Sequence, residues 1–231
     1  MNKNSFQNKI ASHIGKMLRD AFGKGPQSIY VSIDRTFIVI YLRNFLTPTE
    51  KLLLSQGQIR LVQHTRDIVM ASLIPEIKAY LTLLAGINTV DFYYDWELHN
   101  RSGVLIARQA GVWVDEPQIP SVYKGQEKLH QEIGWVSDQI QKRPEEIASF
   151  MINDRTLLVA RSGVLIDLTK ELIRHQLEEP LKQAINHLEK KYLRNNTSIE
   201  QILNTTLVDV FVDWDFASDT SMMVLILMPV D

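Results

Sequence analysis

Cysteine is absent from the 231 residues. That excludes a disulfide framework, a thiol nucleophile and a cysteine-ligated zinc or iron–sulfur centre. Charge of one sign does not dominate either. The 25 Lys and Arg stand against 27 Asp and Glu, a formal net charge of −2, which argues against a duplex-binding surface. The Lys/Arg clusters that form nucleic-acid arms are missing. The longest uncharged central stretch, Ala79 to Val90, has about half the length of a bilayer span, and the apolar run Met222 to Met228 is shorter still. The polar start, Met1 to Lys9, has no apolar run behind it, so no secretory leader is expected. The six histidines are scattered, and there is no His-Glu-x-x-His, Walker A, Gly-x-Gly-x-x-Gly or Gly-x-Ser-x-Gly motif. Zinc, phosphate-loop, dinucleotide and serine-hydrolase chemistry therefore have no support. A composition that is 45% hydrophobic is globular, enough for one large domain or two small ones.

Self-similarity decides between those two. Asp34-Arg35-Thr36-Phe37-Ile38-Val39 returns as Asp154-Arg155-Thr156-Leu157-Leu158-Val159, an offset of 120. Val90-Asp91-Phe92-Tyr93-Tyr94-Asp95-Trp96-Glu97 returns as Val208-Asp209-Val210-Phe211-Val212-Asp213-Trp214-Asp215, an offset of 118, which is also the spacing of Pro26 and Pro144. Three ordered matches at nearly constant offset argue for a duplication. The first repeat spans 1–110 and the diverged second repeat 127–231. Residues 111–126, with Gly and Pro and no clear period, read as the linker; Trp113 within it is expected to pack on a neighbouring domain.

Each copy reads as helix, β-hairpin, long helix, β-hairpin. Phe6, Ile10, Ile14, Met17 and Ala21 mark the stripe of the first helix, and Leu129, Ile133, Val136 and Ile140 that of its counterpart. A hairpin follows in each, about Ser28 to Leu42 and Ile147 to Ala160. The long helix of copy one covers about Ile59 to Leu84, about 39 Å, with Val62, Val69, Leu73, Ile77, Tyr80 and Leu84 inward. Pro75 inside it predicts a kink or break, and Gly86 its C-cap. Copy two offers Ile173, Leu177, Leu181, Ile185, Leu188 and Tyr192, with Pro180 in the stripe. In the closing hairpins Val90, Phe92, Tyr94 and Trp96 alternate with Asp91, Tyr93, Asp95 and Glu97, and Val208, Val210, Val212 and Trp214 with Asp209, Phe211, Asp213 and Asp215. One buried and one wetter face are expected. The run Met222–Met228, apolar on both faces, should be central or covered on both sides. The fold class is α+β: two similar units, each an antiparallel sheet covered by helices on one face, packed as a pseudo-dimer.

Three sets of residues are candidates for function. Gly23, Lys24, Gly25 and Pro26 lie between a helix and a strand, where successive N–H groups can cradle an anion; a helix C-cap needs the same residues. Thr47 and Glu50 have the spacing of a capping box around Pro48, or line a cleft beside the glycine segment. Asp91, Asp95 and Glu97, with Asp209, Asp213 and Asp215, share a strand face. Asp95 and Glu97 could share a hard cation or act in an unrecognised enzyme, but a solvated outer face is the simpler account of them. No residue set forms a metal site or a catalytic constellation, so neither metal nor cofactor is expected.

Gly23-Lys24-Gly25-Pro26, a hairpin, Phe45-Leu46-Thr47-Pro48-x-Glu50-Lys51, a long helix with internal Pro75 and a Val-Asp-rich closing hairpin together resemble the MpsC family of small soluble bacterial proteins. The resemblance covers about residues 5 to 110 well and 127 to 231 more weakly, since Gln141-Lys142-Arg143-Pro144 replaces the glycines. It implies no catalytic residues. It implies a soluble accessory or regulatory protein of a membrane cation or inorganic-carbon (bicarbonate) transport system. Such a protein would be cytoplasmic or peripheral to the inner membrane face, with a membrane transport subunit as partner, no nucleic acid, no span of its own, and room for a homo-oligomer. The alternative is a small-anion or nucleotide sensor built on Gly23–Pro26.

Overall fold

The computed structural model describes residues 3–34, 37–85, 89–109 and 122–228. The chain divides into two compact units, Met1–Glu116 and Pro117–Asp231. The first holds α1 (Lys3–Phe22), β1 (Ser28–Ile33), β2 (Phe37–Arg43), α2 (Pro48–Ser55), α3 (Ile59–Ala85), β3 (Thr89–Glu97) and β4 (Ser102–Gln109). The second holds α4 (Gln126–Asp138), β5 (Glu146–Asn153), β6 (Thr156–Ser162), α5 (Asp167–Arg174), α6 (Glu178–Arg194), α7 (Thr197–Leu203), β7 (Leu207–Asp215) and β8 (Thr220–Leu227). Each unit has one four-stranded antiparallel sheet, in the orders β1-β2-β4-β3 and β5-β6-β8-β7. The units are similar and the class is α+β, as the repeat implies. β8 is an interior strand, which suits its two apolar faces. Most of the expected linker, with Trp113, lies outside the described residues, as do Gly86, Arg35 and Thr36.

In unit 1, Ile10, Ile14 and Leu18 of α1 and Met70, Leu73, Ile77 and Leu81 of α3 pack on the face formed by Ile38, Ile40, Leu42, Trp96, Leu105 and Ala107. The α1 stripe continues from Leu18 to the half-buried Phe22; Ala21, expected inward, is exposed. In unit 2, Leu129, Ile133 and Val136 of α4 meet Leu157, Val159, Val210, Val212, Trp214 and Leu225. Val208, expected inward, is 39% exposed, because the register shifts between Leu207 and Asp209 and leaves it in a bulge.

α3 is not broken at Pro75, and Pro180 falls at the start of its helix rather than inside it. α3 runs from Ile59 to Ala85 with Pro75 inside it. Pro75 and Ala71, four residues earlier, are both exposed, so water can satisfy the carbonyl that the missing N–H leaves. Pro180 is the third residue of α6, in the first turn, where the N–H groups have no intrahelical partner. The stripe of α6 also differs from expectation. Leu177 and Leu188 are 45% and 41% exposed, whereas Ile185, Glu189 and Leu193 are buried. A spacing of four from Ile185 lands on a charged residue, which an apolar pattern skips.

On each edge strand a side chain engages one backbone group. The Gln7 side-chain amide donates to Val31 O of edge strand β1 (2.8 Å), and Gln126 donates to Ser149 O of edge strand β5 (3.2 Å). At the other edges Asp95 Oδ1 accepts from Trp96 N (2.8 Å), and Asp213 Oδ1 from Trp214 N (2.9 Å). Occupied edge groups cannot template another strand.

Candidate functional site: two buried arginine centres

α1 ends at Phe22 and Gly23 follows with φ +72°, the left-handed conformation that lets glycine terminate a helix. Gly25 comes close to α1: a β-carbon there would stand 3.2 Å from Gly15 O. Pro26 is half-buried just before β1. Lys24 Nζ donates to Leu46 O (3.1 Å), which brings the glycine segment beside the start of α2. There the capping box is complete, with Thr47 as N-cap and Pro48 in the first turn. Glu50 N donates to Thr47 Oγ1 (3.2 Å) and Thr47 N to Glu50 Oε2 (2.8 Å).

Glu50 has a further partner that sequence reasoning missed. Arg66 of α3 is fully buried. Its Nε donates to Glu50 Oε1 (2.7 Å), and its Nη2 to Glu50 Oε2 (2.9 Å) and Phe45 O (2.8 Å). The guanidinium carbon lies 4.5 Å from the ring centre of Trp96, 4.9 Å from Phe45 and 5.7 Å from Phe22, within cation–π range. Burial would raise the Glu50 pKa, but the Arg66 hydrogen bonds and charge, with the Thr47 bonds, outweigh it and hold the carboxyl below its ordinary value. The signal was present: Val62, Arg66 and Met70 occupy one inward stripe four residues apart.

Unit 2 has the same centre built from other positions. Trp214 faces Ser221 across β7–β8, as Trp96 faces Gly103 across β3–β4. In unit 1 the Trp96 ring lies where a Gly103 β-carbon would be, 2.2 Å away. In unit 2 Ser221 Oγ accepts from Arg161 Nε (2.9 Å). Arg161 Nη1 donates to Ser137 Oγ (2.8 Å) and Glu189 Oε1 (2.6 Å), and Trp214 Nε1 donates to Glu189 Oε2 (3.1 Å). The Arg161 guanidinium lies 5.0 Å from the Trp214 ring centre. Arg161 pairs with Ser221 in the sheet as Leu42 pairs with Gly103, so it occupies the position of Leu42. α3 and α6 start 119 residues apart, which sets Ile185 against Arg66 and Glu189 against Met70. The cap has moved as well. Where Glu50 accepts from Thr47 N in unit 1, Gln141 Oε1 accepts from Ile166 N (3.2 Å) and Thr169 Oγ1 (2.7 Å) at the start of α5.

The acidic strand residues divide: Asp91, Asp95 and Asp215 are half-buried and the other three are buried. Glu97 is 7% exposed, and Asp209 and Asp213 are each 3%. Asp209 and Asp213 stand opposite Ile226 and Met222, and Asp95 opposite Val104. An alternating strand whose cross-strand neighbours are apolar on both faces does not leave one face in water. Asp91 binds Arg108 through Nε (2.6 Å) and in a close contact with Nη2. Asp213 pairs with Lys182 Nζ at 2.5 Å. Asp215 accepts from Ala217 N (3.0 Å) and Ser218 Oγ (2.7 Å). Among the described residues no three His, Asp or Glu side chains are placed to hold a metal ion.

The architecture defines a tandem α+β protein in which, among the described residues, each unit holds a buried arginine paired with a glutamate. The family model for the Na+-translocating membrane potential-generating system (MpsC) matches residues 2–109 and again 124–228, and the chain belongs to that family in two copies. No curated protein and no solved structure matches it.

Proposed function

We propose that the chain is a non-catalytic accessory or regulatory component of a membrane cation or inorganic-carbon transport system. In this reading it acts from the cytoplasmic face by contact with a membrane subunit. Membership of the MpsC family, matched in both copies, carries the reading. The geometry supports it in a second way. Polar residues that would be first candidates for chemistry are engaged inside the fold: Glu50 by Arg66, Lys24 by Leu46 O, and Glu189 by Arg161 and Trp214. Among the described residues no helix is long and apolar enough to cross a membrane, so contact through a partner suits this chain. The test is recovery of tagged full-length protein from host membranes in mild detergent. Co-recovery of an integral membrane subunit is expected. Recovery of the protein alone, at low and at high salt, overturns the proposal.

A further inference from the structure

Unit 2 contains a polar cluster that the arginine centre does not use. Ser149 of β5 is 3% exposed, and three side chains converge on its hydroxyl. Tyr123 OH lies 2.6 Å from Ser149 Oγ, His130 Nε2 2.7 Å and Gln126 Nε2 3.3 Å. Tyr123 precedes α4 and His130 lies in its second turn, so the cluster ties the segment leading into unit 2 to the edge strand. Unit 1 keeps only part of this. Gln7 caps Val31 O as Gln126 caps Ser149 O, and Val31 has no hydroxyl.

Counting protons ties the state of the histidine to the direction of the other bonds. A serine hydroxyl has one hydrogen to donate and two lone pairs to accept. Gln126 can only donate, which uses one lone pair. If Tyr123 donates to the second, the serine hydrogen goes to His130 Nε2, which must then be unprotonated. In that arrangement the Tyr123 and Ser149 hydrogens both have acceptors, with His130 neutral and its proton on Nδ1. A protonated His130 must donate through Nε2, so serine turns its hydrogen toward Tyr123. The tyrosine hydrogen then has no acceptor among the described residues.

We infer that His130, Ser149 and Tyr123 form a proton-sensitive latch that holds the start of unit 2 on its sheet and loosens when His130 is protonated. The surroundings favour the neutral ring. Burial lowers the His130 pKa, and Glu127 on the same helix opposes this by a smaller amount. β5 brings Ser149 to the ring, while α6 and α7 meet other faces of α4, through Tyr192 on Trp135 and Asn196 on Glu132. A folded-state value below the ordinary 6.5 means that the stabilising contribution is complete above that pH. It is lost as pH falls through the folded value.

The test is a histidine NMR titration of the full chain, together with hydrogen exchange over residues 122–130 at pH 7 and pH 5, corrected for intrinsic rates. The same measurements follow on Ser149→Val, which installs the residue unit 1 uses. The expected results are an unprotonated Nε2 at neutral pH, a midpoint below that of a histidine in a reference peptide, and a several-fold loss of protection at pH 5. Protection in Ser149→Val should not vary with pH. A protonated Nε2 at neutral pH, a midpoint at or above the reference, or equal protection at both pH values overturns the inference. The first two readings need only the wild-type chain, so a variant that folds poorly does not blunt the test.

Discussion

Unit 1 and unit 2 place a guanidinium over the same tryptophan from different directions. In unit 1 it comes from helix α3, pairs with Glu50 at the start of α2 and stands among three aromatic rings. In unit 2 it comes from strand β6, pairs with Glu189 of α6 and is bound by two serines. At the positions of Arg66 and Met70, unit 2 has Ile185 and Glu189; at the position of Leu42 it has Arg161. A buried cation can leave one element only if another supplies it together with its counter-charge, since an unmatched buried charge costs several kcal/mol. The duplicated fold thus preserves an arrangement of charge and ring while its residues exchange places. That exchange also explains why the second repeat looks degenerate in sequence yet retains every element of the first.

The largest effect is expected where this comparison is broken outright. Arg161→Met leaves Glu189 buried without its cation and should cost about 3–5 kcal/mol, read by denaturant unfolding. The comparison is sharpened by transplanting unit 1 into unit 2. The double variant Arg161→Leu with Glu189→Met carries the residues found at Leu42 and Met70, and it should recover most of the loss, because an apolar pair of similar size replaces both charges. Glu50→Gln should cost unit 1 about 3 kcal/mol, seen as lost amide protection in α2 and α3. Acid gives the same information without a mutation. The Glu50 pKa lies below its ordinary 4.5, so its contribution is complete above that value and is lost as pH falls through the folded one. Exchange in α2 should therefore rise below about pH 4.5 in the wild type and not in Glu50→Gln. The smallest effect belongs to the cap. Thr47→Ala should cost about 1 kcal/mol, measured by thermal unfolding, and α5, which begins on Ile166 with no side-chain cap of its own, offers no equivalent position.

Much of this fold is legible in the sequence because it follows from periodicity. The repeat, both closing hairpins, the interior position of β8 and the Thr47–Glu50 capping box can be read directly, since each depends on residues near one another in the chain. The polar centres cannot. Arg66 meets Glu50 across 16 residues and Arg161 meets Glu189 across 28, and nothing local announces either partner. Both charged residues also hide inside apolar stripes. Assigning Leu188 to the α6 core followed from setting Glu189 aside as polar, although Ile185, Glu189 and Leu193 share one face. The acidic strands misled for the opposite reason: alternation of Asp with Val shows two different faces, but whether the second is wet depends on the strands beside it.

The most direct test of the claim that these polar residues serve the fold combines two readouts on Glu50→Gln. Its unfolding free energy is measured against the wild type, and the folded variant is used to recover partners from host membranes. The account predicts a loss of stability with recovery per folded molecule unchanged. Full stability together with lost recovery would contradict it, and would make the Glu50–Arg66 pair a binding site rather than a support.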